Sequence, residues 1–202
     1  MTMTTPLESE IAHTAASLVV DEGLEYGPAK RQALKQLGLP ARTPLPGNGV
    51  LEQAVREHIA LFCGGTQPAE LRALRQLALV WMERMQAFRP YLCGAVWHGT
   101  ATRLSDIYVQ LFCDDSKSAE IALIDRHVDY EPQTVQGLHG KSIEALSIGS
   151  PSPSAPLQTV VGVHLLIYDL DDLRGAMRPD AQGRVPRGDL AAVRQLLLEP
   201  DL

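Results

Sequence analysis

The sequence predicts an α+β protein, a mixed β-sheet with flanking helices preceded by an α-helical N-terminal region. Three observations carry this. Up to residue 88, apolar side chains return every three or four positions, the period of a helix with one buried face. From Arg89 the apolar runs become short and rich in β-branched and aromatic residues. A helical pattern, "SAEIALIDRHV", then interrupts the strand-like runs, the layout of a sheet crossed by a helix. The expected division is 1–88 for the helical region and 89–202 for the sheet-bearing region.

In chain order, "SEIAHTAASLVV" sets Ile11, Ala15, Leu18 and Val19 on one side, and Gly23 stops the helix. "GPAKRQALKQLG" has Pro28 in its first turn and Gly38 just past its end, with Lys30, Arg31 and Lys35 forming a small basic face. After the break "ARTPLPGNG", two further helices are expected, "VLEQAVREHIALFC" and "PAELRALRQLALVWMERMQAF". The second has a stripe of Leu71, Leu74, Leu77, Val80, Trp81 and Met85, read as packing surface. "YLCG" and "DIYVQLFC" are expected strands, "YEPQTVQG" and "SIEALSIGS" a hairpin turning at "LHGK", and "TVVGVHLLIYD" the strongest strand, after the loop "PSPSAPLQ". A helix "RGDLAAVRQLLLE" closes the chain behind the loop "RPDAQGRVPRG".

Bulk properties narrow the function. A chain of 202 residues that is 45% apolar can bury a sizeable core. Its 24 acids and 18 bases give a net charge of −6, which argues against tight nucleic-acid binding through a diffuse basic surface. No apolar run is long enough for a membrane span and the start lacks a secretion-signal layout, so a cytoplasmic protein without a membrane partner is expected. Cys63, Cys93 and Cys113 are widely spaced, with no Cys-x-x-Cys pair, and read as buried free thiols.

The chemistry is concentrated in "CGAVWHGTATRLSDIYVQLF", residues 93–112. A strand ending at Gly94 lets the chain turn sharply and expose backbone amides, which can cradle a phosphate where a helix begins. Asp106 then opens a second strand, where a carboxylate can hold a magnesium ion if another acid stands beside it.

The stretch resembles the signature of the nucleotidyltransferase superfamily, in its minimal nucleotidyltransferase branch: strand, Gly-Ser, a turn, then Ser-Asp-Ile-Asp and a strand. Gly94 matches the signature glycine, Gly99, Thr100, Ala101 and Arg103 fall in the turn, and Ser105, Asp106 and Ile107 match Ser-Asp-Ile. "VGVHLLIYD" is similar to the context of the family's third acid, and the resemblance covers residues 89 to about 175. Three departures accompany it: Ala95 replaces the serine, Tyr108 the second aspartate and His164 the third acid. The resemblance implies a degenerate site with Asp106 and His164 in the catalytic positions and Asp106 as the remaining metal ligand, so that Mg2+ would be held weakly. Gly94, Ala95, His98, Thr100, Arg103, Ser105 and Tyr108 would contact a nucleotide or other phosphate ligand, and Trp97 either stacks on a base or is buried beside the turn.

A phenol cannot serve as an anionic ligand near neutral pH, whereas an imidazole can act as a base. Asp114, Asp115, Asp169, Asp171 and Asp172 read as loop or cap residues, and the direction in which Glu144 faces is left open. Three functions follow: a pseudoenzyme that keeps a nucleotide pocket, an active transferase moving a nucleotide from an NTP, or an interaction module whose helical half binds a helical partner protein, as is common for this branch.

Overall fold

The computed structural model describes residues 5–152, 157–179 and 183–198. Parts of the two loops read from the sequence, residues 153–156 and 180–182, lie outside the described residues, as does the end of the closing helix at 199.

Four helices come first. α1 (Pro6–Glu22) is capped by the Thr5 hydroxyl, which accepts from the Glu8 amide at 3.2 Å, and ends at Gly23 with φ 71°. α2 (Tyr26–Gln36), α3 (Asn48–Phe62) and α4 (Gln67–Arg84) follow. The sheet region runs β1 (Tyr91–Cys93), α5 (Gly94–His98), β2 (Ile107–Cys113), α6 (Ser116–Ile124), β3 (Glu131–Gln136), β4 (Ser142–Pro151), β5 (Val160–Asp169), α7 (Leu173–Ala176), β6 (Arg187–Gly188) and α8 (Leu190–Leu198). Among the described residues the strands form one six-stranded sheet in the order β3-β4-β5-β2-β1-β6. Only the central pair β2 and β5 is parallel, with Tyr108 opposite His164. This is the mixed sheet with flanking helices that the sequence predicts.

Period-two alternation divides the sheet between two clusters. Ile107, Val109 and Leu111 of β2 and Val161, Val163, Leu165 and Ile167 of β5 pack with Leu74, Leu77, Trp81 and Met82 of α4 and with Met85 just past its end. The opposite face sets Phe112 against Tyr168, with Tyr91 edge-on to Phe112. Helices α1–α3 bury their stripes against one another in a separate cluster built on Ile11, Ala15, Leu34, Leu51 and Val55. The apolar clusters thus place α4 with the sheet, tied further by the Trp81 indole N–H donating to Ser150 at 2.9 Å.

Several expectations are corrected. Arg187 and Gly188 do not begin the last helix; they form the edge strand β6, and Asp189 caps the helix by accepting from the Ala192 amide at 2.9 Å. Gly188 is required there because a Cβ would run into the Trp97 ring. Lys30 is not part of a solvated basic face: it is buried, its ammonium donates to Asn48 Oδ1 at 2.6 Å, and burial lowers its pKa. Val80 is exposed, because its position on the helical wheel falls on the solvent side of the α4 stripe. All three cysteines are free, as the sequence predicts, but of the three only Cys113 is a buried residue, Cys63 and Cys93 being half-buried; desolvation pushes the Cys93 thiol up to about 12.

Candidate functional site

A cavity of about 480 Å³ opens between the helical layer and the mouth of the sheet. Its sheet wall is made by Gly94, Ala95, His98, Thr100, Leu104, Ser105, Asp106 and Tyr108, and its helical wall by Val19, Gly23 to Gly27, Asn48 and Glu52. The stretch singled out in the sequence converges because Gly94 takes φ 70°, Gly99 takes φ 82°, and Ser105 fixes the turn between them and β2. The Ser105 hydroxyl accepts from the Thr102 amide at 3.0 Å, and its own amide donates to the Thr102 carbonyl at 2.9 Å. The turn is anchored on α4 by buried Glu70, which accepts from the Arg103 amide at 2.9 Å.

Asp106 stands just ahead of β2, with its carboxylate against Gly162 of β5. A Cβ on Gly162 would lie 2.5 Å from Asp106 Oδ1, so only glycine lets the carboxylate lie there. Asp106 Oδ2 is 3.2 Å from His164 Nε2, and His164 Nδ1 is 2.9 Å from the Ser147 hydroxyl. The His164 hydrogen bond, opposed by burial and aided by the Gly162 amide, holds the Asp106 carboxyl below its ordinary value. Beside this pair the Tyr108 ring stacks on His164 with centroids 4.7 Å apart, and its hydroxyl donates to Glu25 in the α1–α2 connection. Burial first, then Glu25 and the Asp106 charge, push the phenol well above its usual range, so it remains a protonated donor.

Of the residues predicted to form the site, Gly94, Ala95, His98, Thr100, Ser105, Asp106 and Tyr108 all line the cavity. His164 is off the lining and meets it through Asp106 and the stacked Tyr108 ring, and Arg103 is exposed and off the lining. Trp97 is half-buried, its indole N–H donating to the Val185 carbonyl at 2.8 Å. The other acids lie elsewhere. Asp115 caps α6, Asp169 and Asp172 pair with Lys141, and Glu144 pairs with Lys117 at 3.2 Å. The strand register sets Cys113 opposite Asp169, at the far end of β2 from Asp106.

Four residues that the motif did not reveal complete the cavity: Glu25, Tyr26, Asn48 and Glu52. One signal was available. Glu52 falls on the same helical face as Val55 and Ile59, a charge on an apolar stripe. It is 9% exposed, and its Oε1 accepts from Arg56 at 2.8 Å and from Arg184 at 2.7 Å. Burial would raise its carboxyl, but the Arg56 hydrogen bond, nearby His98 and Arg184 hold it below the ordinary value.

Magnesium can be tested against this donor set. A magnesium ion wants near-octahedral oxygen ligation with at least one or two well-placed carboxylates. Here one oxygen of Asp106 is engaged by His164, Tyr108 is a neutral donor, and no three His, Cys, Asp or Glu side chains among the described residues converge to hold an ion. The residues present do not fit a catalytic magnesium site.

No family model and no curated protein matches the chain. Among solved structures it is similar to the Cid1 poly(U) polymerase in an MgGTP-bound form, with 14% identity and a TM-score of 0.33 over 50% of this chain and 32% of that one. It is also similar to a cytoplasmic RNA terminal U-transferase, with 13% identity and a TM-score of 0.35 over 55% of this chain and 36% of that one. The chain therefore spans about a third of the length of the solved structures it matches.

Proposed function

We propose that this protein is a nucleotidyltransferase-like pseudoenzyme, which binds a nucleotide or a related phosphate-bearing ligand in the cavity at the Gly94 turn and does not carry out metal-dependent transfer. One observation supports the reading above all. In a cavity of about 480 Å³, a size suited to a small-molecule ligand, Asp106 is committed to His164 and Tyr108 to Glu25. Nucleotidyl transfer through two metal ions needs several anionic oxygens converging on one point and a base for the attacking hydroxyl. Here the positions around the remaining aspartate hold a phenol and an imidazole that satisfy each other's neighbours.

The electrostatics favour a lightly charged ligand. The lining carboxylates are Glu25, Asp106 and Glu52, the last offset by two guanidiniums, so a triphosphate without a metal finds no strongly basic surface there. A nucleoside or monophosphate should bind at least as well as the matching triphosphate.

Calorimetric titration of nucleosides, monophosphates and triphosphates, with magnesium and with chelator, tests this together with pyrophosphate release. The expected result is binding indifferent to magnesium and no pyrophosphate. Binding that needs magnesium, is lost in Asp106→Ala and is accompanied by pyrophosphate release would identify an active transferase and overturn the proposal. Absence of any nucleotide binding would also overturn it and leave the helical-partner interaction module as the surviving function.

A further inference from the structure

Glu52 carries the cavity's best-placed open valence. Its Oε1 already accepts from two guanidiniums, Arg56 and Arg184, whereas Oε2 accepts no hydrogen bond among the described residues. The residue is 9% exposed and lines the cavity. A carboxylate oxygen has two acceptor sites, and Oε2, on a residue that lines the cavity, can take N–H donors from a bound molecule in place of water. Thr100, 3% exposed and on the lining, has the Tyr26 phenol beside its hydroxyl. Burial and the Glu52 charge push the Tyr26 phenol up, so it too stays protonated. One turn before Glu52 on α3, Asn48 Oδ1 accepts from Lys30 at 2.6 Å, which fixes the amide orientation and leaves its NH2 to donate.

We infer that this helical wall recognises the base of the bound nucleotide, and that Glu52 selects bases bearing an exocyclic amino group over their oxo analogues. The inference rests on the nucleotide reading above and specifies the end of the ligand that is read. An amino group supplies N–H donors to Oε2. A carbonyl at the same place sets lone pair against lone pair, leaving the carboxylate oxygen desolvated and unpaired. Rejection of a ligand that leaves a buried polar group unpaired is strong, about tenfold or more. The wall should therefore prefer cytidine to uridine and adenosine to inosine, pairs that differ at the amino position.

The experiment is calorimetric titration of the full chain with these four nucleosides, in the wild type and in Glu52→Gln. The wild-type comparison depends on no variant folding, and circular dichroism checks the variant. The expected wild-type result is at least tenfold tighter binding of the amino member of each pair. In Glu52→Gln the two guanidiniums hold the amide oxygen, which turns the amide NH2 into the cavity, so the preference should disappear or invert. Equal or tighter binding of uridine and inosine by the wild type would overturn the selection while leaving the nucleotide reading intact, as would a full preference retained in Glu52→Gln. If no nucleoside or nucleotide binds at all, the nucleotide reading itself fails and the selection falls with it.

Discussion

The two walls of the cavity differ in how their polar groups are used. On the sheet wall, Asp106 is bound to His164, Ser105 to Thr102 and Tyr108 across the cavity to Glu25, so these polar groups are already paired. On the helical wall, Glu52 Oε2 and the Asn48 amide NH2 keep capacity for a ligand, although Glu52 is itself pinned by two arginines. The Glu52 carboxylate and the Asn48 amide thus stand on a helix packed across the cavity from the motif residues.

The comparison can be broken most forcefully through the packing of the helical wall. Leu51 is fully buried in the α1–α3 cluster, next to Glu52. Leu51→Ala should cost about 2–5 kcal/mol in urea unfolding, with nucleoside binding falling alongside. If binding persists unchanged in a destabilised but folded variant, the helical wall does not recognise the ligand. Next comes the glycine behind the sheet wall. Gly162→Ala places a Cβ against the Asp106 carboxylate and should cost about 1–3 kcal/mol by overpacking. An unfolding midpoint equal to that of the wild type would show that Asp106 does not lie in that notch.

Smaller effects sharpen the contrast. Tyr108→Phe removes the donor to Glu25 while keeping the ring stacked on His164, for a loss of about 0.5–1.5 kcal/mol at neutral pH. Unchanged stability would mean that water satisfies Glu25 equally well. The smallest effect is a pH dependence. Because the folded Asp106 carboxyl lies below its ordinary value, its stabilising contribution is present above the unfolded carboxylate pKa, near pH 4, and is lost as pH falls through the folded value. With the side chain about half exposed, the contribution is of order 0.2–1 kcal/mol. Stability measured from pH 6 to pH 2 should therefore decline more steeply in the wild type than in Asp106→Asn, and parallel curves would show that the His164 pair contributes nothing.

Elements with a strong period were readable in advance. The stripes of α1, α3 and α4, the cap signals at Gly23 and Gly38, and the run of β5 follow from local spacing and backbone preference. The two-residue strand β6 was not readable, because Arg187 and Gly188 carry no strand period. They pair with β1 because Gly188 admits the Trp97 ring and Arg187 reaches buried Gln110. Val80 and Lys30 went wrong for a related reason: the width of a buried stripe and the fate of one basic side chain depend on what the helix meets.

At the site, local sequence determined that a left-handed glycine ends β1, that a short polar turn leads to Asp106, and that Tyr108 and His164 lie within strand-forming runs. Those are properties of neighbouring residues and of backbone conformations that only glycine adopts readily. Tertiary structure alone decided that Asp106 is held by His164, that Glu25 reaches the Tyr108 phenol, and that Glu52 faces the same space. Each of these joins residues far apart in the chain, and a carboxylate's partners are set by which surfaces the apolar stripes bring together when they leave water.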